Sequence, residues 1–361
     1  MTVSINRLTC EPSLDHSTAD LEQVLQDIVD HITIQADFTI THSKYEAVKL
    51  PSELQQRFSK LSNKVRYNYL ETKLQQFLYR NYYQIETGSK LTEENYQLEN
   101  QAIKWSDSDF LAKLRRNNHS DGHFELGWLI VGETEAGFLQ VKKNGLTLHI
   151  RRDRHLPREE ESAKVGDTVS VKMPPQLVEP GYYISVGTVG TIKDLELQPD
   201  NPIVNVYLNL TSLGALELMD SLTTELNAIA IPFQFKVLYR PEEYTYCNSA
   251  TLSFAKSEFE CVKTIIETAY RQYKAYFKLE TLLFTKYLAP GLSIAEQPLA
   301  NVDLAQDRCQ MIAQALITAW QQDKAFPADR LECIRDRFWQ ANISLERPYL
   351  NPNSQDIYHR F

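Results

Sequence analysis

Lys236 stands in the middle of an apolar run, Ile231-Pro232-Phe233-Gln234-Phe235-Lys236-Val237-Leu238. Strand alternation there puts Gln234, Lys236 and Leu238 on one face. Desolvation or a neighbouring cation lowers a lysine pKa and leaves a neutral amine able to act as a base. A lysine reaching water at a sheet edge fits the same pattern, and the residues alone leave both readings open. Lys172 alternates out of Val169 and Val171 and precedes Met173-Pro174-Pro175, pointing either to water or toward a site. Arg240 follows Lys236 by four residues, at a strand end where side chains often reach the mouth of a pocket. Arg308, beside Cys309 and Met311 in a helical stretch, is either an interior phosphate-binding guanidinium or a partner for Asp303 or Asp307 on an exposed face.

The most basic stretch, His149, Arg151, Arg152, Arg154, His155 and Arg158, could take an anionic substrate or an acidic partner. It runs into Glu159, Glu160 and Glu161, and a solvated loop of mutually compensating charges is the stronger reading. The five cysteines, Cys10, Cys247, Cys261, Cys309 and Cys333, are odd in number and contain no Cys-x-x-Cys pair. This disfavours a disulfide framework and a structural zinc, and they are expected as buried thiols. No P-loop, Rossmann glycine fingerprint, Gly-x-Ser-x-Gly elbow, His-Glu-x-x-His helix or EF-hand loop is present, so no cofactor and no metal are expected.

These residues sit in a chain of 361 residues, of which 43% are hydrophobic and 24% charged, with a formal net charge of -9. That length allows two lobes, or one large domain with a helical annex, and the composition is that of a folded protein. An acidic balance argues against a partner that is a nucleic acid, whose affinity needs clustered Lys and Arg. No apolar run is long enough to span a bilayer and the start lacks a signal-peptide pattern, so no membrane association and a cytoplasmic location are expected.

The elements expected to position the candidates follow from periodicity. Ser17 to Ile34 reads as an amphipathic helix, a second helical stretch follows Pro51, and Leu91 to Arg116 reads as a third. The tyrosines Tyr67, Tyr69, Tyr79, Tyr82 and Tyr83 of this helical region are suited either to holding a peptide or, more readily, to packing. From Phe124 short strands are expected at Gly127–Val131, Gly137–Val141, Leu146–Arg151 and Thr168–Met173, with Asn144-Gly145 as a hairpin turn. Strands at Tyr182–Gly187, Asn205–Leu210, Phe233–Tyr239 and Ala250–Phe254 surround a helix from Leu213 to Ile229. Helices over Ser257–Leu283, Leu304–Gln321 and Asp329–Gln340 precede an extended tail. The expected class is α+β: a helical N-terminal region, 1–120, then a mixed, mainly antiparallel sheet body with C-terminal helices, 121–361.

From Gly127 onward the chain resembles the HopA family of type III effectors and its bacterial relatives. The resemblance rests on Gly127-Trp128, Gly145-Leu146-Thr147-Leu148, the run from Val165 to Pro174, Pro180-Gly181-Tyr182-Tyr183, Val206-Tyr207-Leu208-Asn209-Leu210-Thr211, Pro232 to Leu238, Leu288-Ala289-Pro290-Gly291-Leu292 and Arg347-Pro348-Tyr349-Leu350-Asn351. Some relatives occur beside small kinases in the biosynthesis of dehydrated peptides, including class V lanthipeptides. The resemblance therefore implies a lyase that eliminates phosphate from phosphoserine or phosphothreonine, with a phosphorylated or precursor peptide and a kinase as partners. Such chemistry needs a base for the α-proton, an acid for the leaving phosphate and cations around the dianion.

A more distant likeness, to phosphothreonine lyase effectors, implies Lys236 as the base and Arg240 and Arg308 as phosphate ligands, with Lys172 as a further substrate-binding candidate from its own strand position. The strand Asn205 to Asn209 should then supply the acid, and it holds no histidine. Tyr207 is left as the proton donor, although an ordinary phenol pKa of about 10 suits that task less well. A second departure lies where the pattern implies an Arg-x-Asp segment and a Tyr closing the strand. Tyr246, Asn248 and Ser253 occupy those places, and the alternative is a non-catalytic effector-type module that binds a protein or peptide.

Overall fold

The computed structural model describes residues 16–51, 53, 57–83, 106–192, 200–300 and 302–361. The chain forms two units, one from residues 1–85, 282–289 and 293–360, the other from 86–281 and 290–292 together with Phe361. In the first unit, α1 (His16–His31) buries Leu21, Leu25, Ile28 and Val29 at helical spacing. A short antiparallel pair follows, β1 (Thr33–Ile34) and β2 (Ile40–Thr41). The second helix, α2 (Asn63–Leu78), starts later than the residues after Pro51 suggested, and continues into a π-helical turn at Tyr79–Tyr83. Its buried stripe is Leu70, Leu74, Phe77 and Leu78, while Leu61 and Val65 are exposed. The tyrosines pack inside this unit: Tyr82 and Tyr83 are buried, Tyr67 meets Phe38 and Trp320, and Tyr69 meets Phe58.

The second unit begins with α3 (Asp107–Arg116), capped by Ser106, whose hydroxyl accepts from the Asp109 amide. Most of the helix expected from Leu91 lies outside the described residues. Four strands follow in the order β5-β4-β3-β6: β3 (His123–Glu133), β4 (Leu139–Lys143), β5 (Leu146–Ile150) and β6 (Thr168–Met173). Asn144 and Gly145 take φ of 48° and 83°, the doubly left-handed turn expected of that dipeptide. The sheet's own core is Trp128, Ile130, Leu139, Val141, Ile150, Leu156, Val169 and Val171. The basic stretch contains a single helical turn at Arg152–His155, and two of its arginines are paired: Arg151 with Asp153, and Arg152 with Glu133 and the Glu161 and Ala163 carbonyls.

The rest of this unit is a second antiparallel sheet containing β7 (Gln176–Glu179), β8 (Tyr182–Val186), β9 (Ile203–Leu208), β10 (Gln234–Leu238) and β11 (Ala250–Ala255). Their order is β9-β11-β10-β8-β7. Between β9 and β10, α4 (Ser212–Ala228) starts on a Thr211 cap and buries Leu216, Leu218, Met219, Leu222 and Leu226. Its neighbour α5 (Phe259–Tyr273) buries Phe259, Val262, Ile266, Ala269 and Tyr270. Cys261 lies off that stripe and is exposed, unlike the buried Cys247, Cys309 and Cys333.

The helix expected over Ser257–Leu283 ends early for a backbone reason. Phe277 is extended and bridges Leu210, and the Lys278 amide donates to Asn209 O at 2.9 Å, so this segment hydrogen-bonds as a strand. Gly291 completes the junction: its amide donates to Leu279 O at 3.0 Å and its carbonyl accepts from Asn209 N at 2.8 Å.

The first unit resumes with β12 (Lys286–Ala289) and β13 (Leu292–Glu296), which are adjacent strands. Every residue of β13 is buried, so the alternation that reveals a strand is missing there. Two helices follow, α6 (Leu304–Gln321) and α7 (Pro327–Gln340). Within this unit α6 packs on α2 and α7, and α1 packs on α7. The extended tail is bound tightly. Buried Glu296 accepts from Asn351 N at 2.8 Å, Ser354 Oγ at 2.6 Å and Tyr358 Oη at 3.0 Å. The class is α+β, with antiparallel sheets followed by C-terminal helices. No helix among the described residues is long and apolar enough to cross a membrane.

Candidate functional site

The five-strand sheet of the second unit has two chemically different faces, set by the period of two along each strand. One is made of Val204, Val206 and Leu208 on β9, Ala250, Leu252 and Phe254 on β11, and Phe235 and Val237 on β10. All of these are essentially fully buried. The residues between them are largely polar. Lys236 lies opposite Ile184 on one side and Thr251 on the other, and Thr251 lies opposite Tyr207. One step along, Gln234 lies opposite Val186 and Ser253, and Ser253 opposite Asn205.

Residues opposite each other across a ladder share a face. Two cross-strand rows therefore lie side by side, Ile184-Lys236-Thr251-Tyr207 and Val186-Gln234-Ser253-Asn205. The strand spacing puts the Cα atoms of Lys236 and Tyr207 about 10 Å apart. The second row is internally bonded, with Ser253 Oγ donating to Asn205 Oδ1 at 2.6 Å. Tyr207 and Asn205 are 7% and 8% exposed, whereas the Lys236 side chain is 35% exposed.

Lys236 is held on two sides. Its Nζ donates to Glu179 Oε2 at 3.1 Å and lies 4.0 Å from the centre of the Tyr182 ring. Glu179 is opposite Tyr182 in the β7–β8 ladder, so the pairing register itself assembles this clamp around the amine. Strand β7 and with it Glu179 were missed by sequence reasoning. The adjacent β-formers Leu177-Val178 between Pro174-Pro175 and the turn at Pro180-Gly181 were the signal that could have found them.

The other sequence candidates are placed differently. Arg240 follows β10 and is exposed, paired with Glu243 at 3.2 Å and Asp107 at 3.5 Å. Lys172 is on β6 of the four-stranded sheet, opposite Phe124, and exposed. Arg308 belongs to the first unit, 1% exposed on α6, where its Nε donates to Pro348 O at 2.8 Å and its Nη2 to Leu350 O at 3.2 Å. It also pairs with its neighbour Asp307, so it is buried and at the same time the Asp307 partner that the sequence offered as an alternative. Burial draws this guanidinium's pKa down, while Asp307 opposes the change. The structure thus brings Lys236 and Tyr207 onto one face and leaves Lys172 on another sheet.

The residues departing from the implied pattern are half-buried at Tyr246 and Asn248, and Ser253 joins the polar face through Asn205. Cys309, the cysteine beside Arg308, has its thiol pKa pushed up by burial, which removes it as a nucleophile at neutral pH. Among the described residues, the one cluster of metal-ligating side chains is Asp27, His31 and His42, in the first unit.

With this geometry in hand, the relationships of the chain can be read. The sequence pattern of the HopA1 effector protein family matches residues 173–350, which contain β7 to β13, the polar face and the Arg308 contacts to Pro348 and Leu350. No curated protein sequence matches the chain. Among solved structures, the effector protein from Pseudomonas syringae pv. tomato strain DC3000 is 15% identical. It superposes with a TM-score of 0.42 over 83% of this chain and 95% of its own. The effector protein from Pseudomonas syringae pv. syringae strain 61 is 14% identical, with a TM-score of 0.41 over 81% of this chain and 100% of its own. Over residues 173–350, then, this chain is similar to the HopA1 effector protein family.

Proposed function

We propose that this protein is a phosphoserine or phosphothreonine lyase-like member of that family, acting on a phosphorylated peptide through the polar face of the β7–β11 sheet. The observation that carries the reading is the row Lys236-Thr251-Tyr207, an amine and a phenol on one face of three neighbouring strands. In the reaction Lys236 takes the α-proton of the phosphorylated residue, the Cα–Cβ double bond forms, and the Cβ–O bond breaks. Tyr207 supplies a proton to the departing phosphate oxygen. The Glu179 carboxylate, ion-paired with Lys236 in the free protein, first takes the ammonium proton so that Lys236 meets the substrate as a neutral amine, and Tyr207 regains its proton from solvent once phosphate has left. Arg240, exposed at the end of the same strand, contacts the phosphate; Lys172, on the four-stranded sheet, and Arg308, which holds the tail, are not among its ligands. The chemistry needs no cofactor, and a kinase acting first would supply the phosphorylated peptide. The function resides in the body from residue 121, with the helical region 1–120 as a packing or docking annex.

Purified protein is incubated with a phosphothreonine peptide and the products are weighed by mass spectrometry, alongside Lys236→Ala. Loss of phosphoric acid in wild type and not in the variant supports the reading. Equal loss from both removes Lys236 from the mechanism. No loss from either favours the second reading, a non-catalytic effector-type module that binds protein or peptide. That reading has its own support in the clamp of Glu179 and Tyr182 on Lys236, which occupies the amine.

A further inference from the structure

On the last turns of α1, Asp27 and His31 are one helical turn apart and share a face. The chain then reverses through β1 and β2 and brings His42 back over them. His31 Nδ1 lies 3.1 Å from Asp27 Oδ1, and His42 Nε2 lies 3.5 Å from Asp27 Oδ2. One donor atom from each residue falls within 4.8 Å of the others. A tetrahedral site with bonds of about 2.0–2.1 Å has donor atoms about 3.3 Å apart; each histidine lies near that distance from one Asp27 oxygen, and the set, all within 4.8 Å, closes to that spacing around an ion by small side-chain rotations.

We propose that Asp27, His31 and His42 bind a divalent transition metal of the zinc class, with solvent as the fourth ligand. Imidazole and carboxylate donors suit that class rather than calcium or magnesium, which take all-oxygen shells. The surroundings fit. The His42 ring is fully buried and fixed in place, stacked 4.6 Å from the Tyr45 ring. Tyr82 Oη donates to Asp27 Oδ2 at 2.8 Å, the position of an outer group that orients a ligating carboxylate, and its 2.9 Å contact with His42 Nε2 is one the metal would replace. Lys44 Nζ sits 2.9 Å from Asp27 Oδ1, on a side chain that is 62% exposed. Its ammonium stands where the metal's charge would go, and it can swing into water when a metal arrives. His31 Nδ1 is also within 3.0 Å of the Asp27 carbonyl and must turn its lone pair to the ion. The metal would tie α1 to the β1–β2 hairpin.

The full-length protein, stripped with a chelator, is titrated with zinc against a chromogenic competitor and with cobalt(II), whose visible absorption reports tetrahedral nitrogen and oxygen coordination. The expected result is one tight site, weakened at least about tenfold in His31→Ala and in His42→Ala. Lys44→Met should tighten the same site, because it removes the competing ammonium. His31 is partly exposed, so its variant remains informative even where loss of the buried His42 disturbs folding. The proposal is overturned if zinc binding is absent, if His31→Ala binds as tightly as wild type, or if Lys44→Met fails to tighten it.

Discussion

Replacing Arg308 with Leu separates a structural arginine from a substrate ligand. The side chain is 1% exposed, and its donors satisfy the carbonyls of Pro348 and Leu350, which begin the bound tail. Leucine keeps much of the volume but leaves both carbonyls and the Asp307 carboxylate without this donor. Each buried acceptor stripped of its bond costs about 1–3 kcal/mol, and removing one member of a buried charged pair costs about 3–5 kcal/mol. The two estimates overlap near about 4 kcal/mol, a large part of the roughly 5–15 kcal/mol that holds a typical domain together. Urea unfolding of the purified protein, followed by circular dichroism, should show a free energy of unfolding lowered by that amount. Arg308→Lys should recover only part of it, since one ammonium cannot reproduce the guanidinium's fork. A stability for Arg308→Leu within about 1 kcal/mol of wild type would refute the assignment of Arg308 to the tail.

Asp356 provides a pH-dependent counterpart. Burial alone would raise its pKa, but hydrogen bonds from Lys286 and Tyr349, each 2.7 Å, hold it below the ordinary carboxylate value. A depressed carboxylate adds stability that is complete above its unfolded pKa of about 3.9 and is lost as pH falls through the folded value. Asp356→Asn should therefore cost about 1–3 kcal/mol at pH 7 in chemical denaturation, and the difference should shrink below about pH 3. Gly291→Ala should destabilise by at least about 2 kcal/mol, because φ is +72° and a Cβ would come 2.1 Å from Lys278 O; a normal thermal unfolding midpoint would contradict this. Ser249 Oγ donates toward Leu208 O and Leu210 O and accepts from Leu210 N at 2.7 Å, all buried. Ser249→Ala should accordingly lower stability by about 1–3 kcal/mol, and amide hydrogen exchange should quicken at Leu210.

How far the sequence foretold this molecule depends on the signal each element carries. The half-buried strands β3 to β6 alternate, and Asn144-Gly145 announces its own turn, so the meander was readable. So were α4 and α6, whose apolar stripes repeat at helical spacing. Strands β12 and β13 were not, because β13 is buried on both faces and shows no alternation. The end of α5 was misjudged because backbone bonds from Phe277 and Lys278 to the chain after β9 override a helical local preference. For the candidate site, the face of Lys236 followed from alternation alone, but the residues beside it depend on register, which brings Thr251, Tyr207 and Ile184 together from distant segments. Arg308 illustrates the converse. An arginine within an apolar helix face suits a ligand site as well as an anchor, and only the partners Pro348 and Leu350, forty residues or more away, distinguish them.

Elimination on the polar face is tested by the time course of a phosphothreonine peptide read by intact mass. Wild type, Lys236→Ala and Tyr207→Phe are compared after matched unfolding midpoints show that all three are folded. Loss of a positioned base or acid removes about 10²–10⁴ in rate. Wild type should convert the peptide steadily to its dehydrated product, with both variants slowed at least about 100-fold. Conversion at the wild-type rate by Lys236→Ala, or no conversion by wild type at any protein concentration, would contradict it.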